Sequence, residues 1–176
     1  MPNSEIRLVV VTGISGSGKS IALDMLEDLD FYCIDNLPSG LVKPFLEQAE
    51  SGTLKTYTKT AIALDARNLP DELIKVPEMI SSLKAAGTQV DVIFLDAADE
   101  VVMKRYAESR RRHPLSRKGL SLVEAIKSER QVLQPLYDLA DLVIDSTRTN
   151  VHQLRRIISE RVAEKMAGSM ALNFTS

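Results

Sequence analysis

A glycine-rich motif near the start of the chain constrains its fold more than any other feature. Residues 13–20 read GISGSGKS and match the pattern G-x-x-x-x-G-K-[ST] at every fixed position. The motif follows a β-branched apolar run, residues 6–12, and precedes a segment with apolar residues at helical spacing, residues 19–30. A buried strand, a glycine loop and a helix in this order are typical of a P-loop.

The chemistry of a P-loop follows from its backbone. Glycines let the chain bend so that successive N–H groups face one phosphate cluster, and the N-terminus of the next helix adds partial positive charge. Lys19 can reach the β- and γ-phosphates, and the Ser20 hydroxyl can bind Mg²⁺. A glycine-rich turn that caps a helix is the alternative interpretation. We predict a site for ATP or GTP with Mg²⁺ that includes the whole motif: Gly13, Ile14, Ser15, Gly16, Ser17, Gly18, Lys19 and Ser20.

Strand and helix signals alternate along the rest of the chain. Short apolar runs predict five strands, at residues 6–12, 31–34, 58–64, 90–95 and 142–144. Apolar strands separated by helices are typical of a parallel sheet that is covered on both faces. We therefore predict a three-layer α/β P-loop domain over residues 1–168. Its parallel five-stranded sheet is expected in the kinase-like strand order 2-3-1-4-5.

Prolines set the predicted limits of several helices. Pro44 places the start of the second helix near that residue, and Pro77 interrupts the third. The helix after the fourth strand is expected to reach about Arg112, and Pro135 predicts a break in the long helix that follows. Residues 113–119 contain one Pro, one Gly and three basic residues, a composition typical of a mobile loop.

Composition excludes several classes of protein. The chain has 176 residues, enough for one domain with a sizeable core. Its single cysteine excludes an internal disulfide and a cysteine-rich zinc site. The net charge of −2 gives no overall attraction to nucleic acid or membrane. Because we find neither a signal peptide nor an apolar run near the ~20 residues of a membrane-spanning helix, we expect a cytoplasmic protein.

Four of the predicted strands end in aspartate: Asp35, Asp65, Asp96 and Asp145. Ligands of open parallel sheets bind at the carboxyl ends of the strands, so all four can approach the phosphates. One is expected to hold Mg²⁺ through water. The apolar run before Asp96 favours that residue, whereas the kinase-like order favours Asp65, which we prefer. Asp35 is the candidate for orienting an attacking hydroxyl or water, and a turn-capping role is the alternative for each.

A basic segment follows the fourth strand. Residues 101–118 hold seven Lys or Arg and one acid, a net charge of +6. In P-loop kinases this position leads into a lid whose arginines close over the transferring phosphates. Arg110 and Arg111 are therefore candidate catalytic residues, together with Lys19 and Asp35. A solvated surface and an RNA-binding strip are the alternatives, although no aromatic residue falls in a stacking arrangement beside the arginines.

Six short segments carry a family resemblance. They read GISGSGKS at 13–20, FYCIDNLP at 31–38, DARN at 65–68, FLDA at 94–97, RRRHPL at 110–115 and ADLVID at 140–145. In this order they resemble the RapZ/YvcJ family of bacterial P-loop nucleotide-binding proteins over essentially the whole chain. The segments CIDNLP and RRHPL are far more specific to that family than the P-loop is.

The resemblance implies ATP or GTP binding with slow hydrolysis, and it implies a nucleotide-contacting segment formed by Asp65, Ala66, Arg67 and Asn68. It also implies membership of an RNase adapter that presents a small regulatory RNA to an endoribonuclease and so controls glucosamine 6-phosphate synthesis. That activity is associated with a second, C-terminal domain, and residues 169–176 are then expected to start the linker to it. A homo-oligomer is compatible with this reading. A small-molecule kinase and a pure interaction module are the alternatives.

Overall fold

The computed structural model describes residues 6–51, 58–67, 70–109 and 111–174 of the chain. Within this part, strands and helices alternate. The strands are β1 (Arg7–Gly13), β2 (Tyr32–Asp35), β3 (Lys59–Ala63), β4 (Gln89–Asp96) and β5 (Leu142–Asp145). The α-helices are α1 (Lys19–Asp28), α2 (Val42–Glu50), α3 (Pro70–Ile74), α4 (Val76–Ala85), α5 (Asp99–Ser109), α6 (Leu122–Leu139) and α7 (Val151–Phe174). Short 3₁₀ helices cover Ser39–Leu41 and Pro114–Lys118.

The five strands form one parallel sheet in the order β2-β3-β1-β4-β5. This confirms the predicted three-layer fold and its strand order. Strand β1 lies at the centre, where Val11 pairs with Ala63 of β3 and with Ile93 of β4. A central strand of a parallel sheet is covered on both faces, which explains the apolar run at residues 8–11 within β1.

The two faces of the sheet bury alternate residues of each strand, because successive side chains of a strand point to opposite faces. On one face, Val10 belongs to a core formed with helices α2, α4 and α6. On the other face, Val11 belongs to a core formed with α1 and α7. Helices therefore cover both faces, and the carboxyl ends of the strands are left to form a ligand crevice.

Helix α2 begins at Val42, close to the start predicted near Pro44, because a proline in the first turn removes no intrahelical hydrogen bond. Two other predicted helix limits were wrong. Helix α5 ends at Ser109 and does not reach Arg112. Helix α6 continues without a break through Pro135. Burial of apolar residues on both sides of this proline offsets the one hydrogen bond that it removes. The interruption predicted at Pro77 is present, since α3 and α4 are separate helices.

The segment predicted as a loop at residues 113–119 contains the 3₁₀ helix Pro114–Lys118. The loop prediction was wrong because two side chains of the segment are buried. His113 is 1% exposed and Leu115 is 7% exposed. Composition alone did not reveal this burial, which holds the chain in place within the basic segment.

Helix α7 packs on the sheet through Leu154, Ile158 and Val162, whereas Val151 in its first turn is exposed. Its backbone continues to Phe174, past the predicted domain limit at residue 168, which stays a prediction. Within the described ranges, every helix is too short or too polar to cross a lipid bilayer.

Candidate functional site

The P-loop ends at the N-terminus of α1, at the centre of the carboxyl edge of the sheet. Gly18 is the N-cap of this helix, with φ of 110°, and no side chain caps it. The N–H groups in the first turn of a helix have no partner within the helix. They are therefore free to bind an anion, which the helix dipole also favours. This cradle fits the phosphates of a nucleotide.

A cavity of about 640 Å³ opens beside this helix end. Its volume lies within the range of ordinary small-molecule sites. The P-loop lines it through Ser15, Gly16, Gly18, Lys19 and Ser20. Five of its described lining residues are basic and two are acidic: Lys19, Arg67, Arg105, Arg111 and Arg112 against Asp35 and Asp65. An excess of positive charge in a cleft attracts an anionic ligand.

Lys19 lies at the floor of the cavity, with a side chain that is 12% exposed. Its Nζ donates a hydrogen bond to the carbonyl oxygen of Gly13 at 3.0 Å and lies 3.9 Å from Oδ2 of Asp65. Burial lowers the pKa of Lys19 below its ordinary value of 10.5, and the opposing attraction of Asp65 and Glu129 does not cancel this effect. The ammonium group therefore lacks sufficient compensating charge, and a phosphate would supply it.

Arg67 joins the ends of β2 and β3. Its Nε donates to both carboxylate oxygens of Asp65, at 3.0 and 3.1 Å, and its guanidinium also donates to Asp35 at 2.6 Å. Burial raises the pKa of Asp65, but the hydrogen bonds from Arg67 and the charge of Lys19 outweigh burial and hold the pKa below 3.8. Asp65 is therefore ionised at neutral pH.

Ser20 and Asp65 fit the requirements of a magnesium ion. Both line the cavity, and they offer a hydroxyl and an ionised carboxylate. Mg²⁺ usually takes one or two carboxylates, several waters and substrate phosphates. Because Arg67 already occupies both oxygens of Asp65, contact through water is the arrangement that fits.

The other two strand-end aspartates are held away from the cavity walls. Asp96 accepts hydrogen bonds from Arg130 at 2.9 Å and from the N–H of Ala97 at 2.8 Å. Asp145 accepts from the N–H and the hydroxyl of Thr147. Of the three residues predicted to serve the metal, Ser20 and Asp65 line the cavity and Asp96 is not among the described residues that do.

A second set of contacts supports the P-loop from α5 and from the end of β5. Arg105 donates to the carbonyl oxygen of Gly16 at 2.7 Å and to that of Ser146 at 2.8 Å. The Ser146 hydroxyl donates to the carbonyl oxygen of Ser17 at 2.7 Å. These bonds use carbonyl oxygens of the loop and none of its N–H groups. Sequence analysis identified Arg105 only as part of the basic segment and missed Ser146.

Glu129 of α6 was also missed. It is fully buried and accepts hydrogen bonds from the backbone N–H and the hydroxyl of Ser15. The sequence did contain a signal. Glu129 occupies the apolar stripe of α6, between the buried residues Ile126 and Leu133, where a charged residue requires a partner.

The remaining predicted site residues are dispersed. Arg111 lines the cavity. Ile14 is 1% exposed and belongs to the core. Ala66 packs against Leu115 and Ala125 and does not line the cavity. Two predicted residues, Asn68 and Arg110, lie outside the described residues.

The sequence matches known families over most of its length. The model of the RapZ-like N-terminal domain matches residues 6–166. A nucleotide-binding protein of Pseudomonas putida strain F1 is 51% identical over 157 residues, which cover 89% of this chain and 55% of that protein. A nucleotide-binding protein of Halorhodospira halophila is 47% identical over 169 residues, which cover 96% of this chain and 59% of that protein. The chain thus spans a little over half the length of these relatives.

Solved structures with the same fold include P-loop kinases. Shikimate kinase from Bacteroides thetaiotaomicron matches with a TM-score of 0.55 and 18% identity, covering 92% of this chain and 98% of the kinase. A gluconokinase from Sinorhizobium meliloti matches with a TM-score of 0.52 and 16% identity, covering 92% and 95%. At such identities the likeness shows the fold alone. The family resemblance inferred from the six segments is confirmed, and the chain belongs to the RapZ-like N-terminal domain family.

Proposed function

We propose that this chain binds ATP or GTP together with Mg²⁺ and hydrolyses the nucleotide slowly. The observation that carries the proposal is the uncapped N-terminus of α1, which opens with Lys19 into a cavity lined by an excess of arginine. The names of the two Pseudomonas and Halorhodospira relatives, both nucleotide-binding proteins, agree with it.

Each residue of the site has a separate task in this proposal. The P-loop N–H groups bind phosphate oxygens, and Lys19 neutralises the β- and γ-phosphates. Ser20 and Asp65 would hold Mg²⁺, which would supply positive charge to neutralise the phosphates. Arg111 stabilises charge that develops on the γ-phosphate, and Arg112 lies on the same wall of the cavity.

The carboxylates of the cavity favour slow turnover. Fast hydrolysis needs a side chain that orients the attacking water. Asp35 and Asp65 are the described acids on the cavity walls, and Arg67 pairs with both. A carboxylate already engaged by a guanidinium is a weak base. Hydrolysis is therefore expected at a low rate, in keeping with a regulatory role.

For the longer protein, we propose the role that the family resemblance implies. The chain is then the N-terminal half of a cytoplasmic RNase adapter that presents a small regulatory RNA to an endoribonuclease. The resemblance alone supports this part of the proposal.

A small-molecule kinase is the second candidate, and the position of Asp35 favours it. This residue lines the cavity at the end of β2. There it could orient the hydroxyl of an acceptor once Arg67 moved to the phosphates. Formation of ADP that depends on an added acceptor distinguishes this activity from hydrolysis.

The test is phosphate release from ATP and GTP by the wild-type chain and by Lys19→Ala, each with Mg²⁺ and with EDTA. We expect slow release that requires Mg²⁺ and is lost in Lys19→Ala. Release that persists equally in Lys19→Ala would overturn the assignment of the site. A rise in ADP with a sugar or shikimate-like acceptor would favour the kinase.

A further inference from the structure

A buried carboxylate lies directly beneath the P-loop. Glu129 is fully buried in α6, among apolar residues on both sides of it along the helix. A charged group in such surroundings is costly unless it receives several hydrogen bonds. In the described part of the chain, its polar neighbours are Ser15 and His113. Neither Glu129 nor His113 lines the nucleotide cavity.

Ser15 connects this carboxylate to the P-loop. Its backbone N–H donates to Oε1 of Glu129 at 2.8 Å, and its hydroxyl donates to Oε2. The two bonds from one residue fix the position and the orientation of the loop immediately before its phosphate-binding part.

His113 connects the same carboxylate to the basic segment. Its Nδ1 accepts a hydrogen bond from the N–H of Leu115 at 3.1 Å, so the neutral ring carries its proton on Nε2. Nε2 is buried and lies 3.2 Å from Oε1 of Glu129, a close polar contact that lies outside hydrogen-bond geometry. The imidazole thus fixes the chain immediately after Arg111 and Arg112, which line the cavity.

We infer that Glu129 and His113 are positioning residues that tie the P-loop to the arginine pair, Arg111 and Arg112, and hold the pair within reach of bound phosphate. The inference rests on the proposed nucleotide binding, because the phosphates are what the arginines reach. The loop and the arginines belong to separate parts of the chain, and Glu129 contacts both. Loss of the His113–Glu129 contact therefore releases the arginines while the phosphate cradle stays intact.

Two substitutions of His113 separate its two contacts. In His113→Asn, the amide oxygen takes the place of Nδ1 and keeps the bond to Leu115, but the side chain is too short to reach Glu129. In His113→Gln, the amide reaches Glu129 and the bond to Leu115 is lost. His152→Asn changes an exposed histidine of α7 and is the matched control.

The experiment measures ATP affinity with Mg²⁺ by calorimetry for the 176-residue chain and these variants, beside thermal unfolding. We expect His113→Asn to bind ATP about tenfold more weakly than the wild type, a size usual for residues coupled in one network. The affinity of His113→Gln should fall less, and that of His152→Asn should not change. With both arginines replaced by alanine, His113→Asn should cause no further loss.

Three results separate the possibilities. Equal binding by the wild type and a folded His113→Asn would overturn the inference and leave the proposed function standing. The inference would also be overturned if His113→Asn lowered the ATP affinity equally with the arginines present and with both replaced by alanine. Such a loss would not act through the arginines. No nucleotide binding by the wild type would refute the proposed function itself. If His113→Asn does not fold, Glu129→Gln replaces it in the same comparison, since the amide keeps the size of the side chain and removes the carboxylate that His113 contacts.

Discussion

The first glycine of the P-loop should be the least replaceable of the glycines that the structure describes. Gly13 has φ of 143°, a conformation that side chains rarely adopt. A Cβ built on it would lie 2.1 Å from the carbonyl oxygen of Leu95 and 2.8 Å from the nitrogen of the same residue. Both atoms belong to the backbone of β4, so no side chain can turn away to make room.

The expected cost of Gly13→Ala follows from two terms. The unfavourable φ costs about 1–2 kcal/mol. To relieve the clash, β1 and β4 must separate, and the bond from the N–H of Ile14 to the carbonyl oxygen of Leu95 is then lost. A buried group left without a partner costs about 1–3 kcal/mol. We expect Gly13→Ala to lower the free energy of unfolding by about 3 kcal/mol.

Two other glycines provide matched controls. Gly119 has φ of 80° but has no atom within 4 Å of a built Cβ, so Gly119→Ala should cost about 1 kcal/mol from strain alone. Gly40 also has open space around a built Cβ and has no positive φ, so Gly40→Ala should be neutral or slightly stabilising.

Urea denaturation of the three variants and the wild type measures these differences. For a chain of this size, a loss of 3 kcal/mol corresponds to a fall of about 6–12 °C in the melting temperature, which is a second readout. If Gly13→Ala costs no more than Gly119→Ala, the close approach of β4 is not what requires a glycine at this position.

Three further predictions concern the ligands. Asp65→Asn should weaken Mg²⁺-dependent nucleotide binding more than Asp96→Asn does, and calorimetry that ranks them in the reverse order would reject Asp65 as the metal residue. Since burial lowers the pKa of Lys19 below 10.5 and a bound phosphate raises it again, nucleotide binding at alkaline pH should take up protons, and affinity should fall as the pH rises toward 10.5. Calorimetry in buffers of different ionisation enthalpy detects this uptake, and binding enthalpies equal in all buffers would exclude it. This chain alone should not bind the regulatory RNA tightly, because its net charge is −2 and Arg105, Arg111 and Arg112 of the basic segment line the proposed nucleotide cavity. Submicromolar, salt-sensitive binding in an anisotropy titration would contradict that.

The fold could be predicted because its determinants are local. The P-loop motif fixes one strand, one loop and one helix, and the apolar runs mark the other strands. The strand order followed from the type of P-loop fold. It placed the strand of Asp65 beside β1, as the structure shows.

Most of the contacts that shape the site could not be predicted from local sequence patterns. Ser15 and Glu129 are separated by 114 positions, and no local pattern relates them. The pairing of Arg67 with Asp35 and Asp65 depends on side-chain conformations at the ends of two strands. Helix α6 passes Pro135 because tertiary packing of neighbouring residues, such as the fully buried Leu136, outweighs the local preference for a break.

The central claim is that the P-loop binds a nucleoside triphosphate through Lys19. Calorimetric titration of the wild type, Lys19→Ala and Lys127→Ala with ATP and with GTP, each with Mg²⁺, tests it most directly. Lys127 is exposed on α6, away from the cavity, and provides a control for the loss of one positive charge. The account predicts binding by the wild type and Lys127→Ala and a loss of at least about tenfold in a folded Lys19→Ala, the size expected for a hydrogen bond to a charged group. Equal affinity of Lys19→Ala and Lys127→Ala for both nucleotides would contradict it.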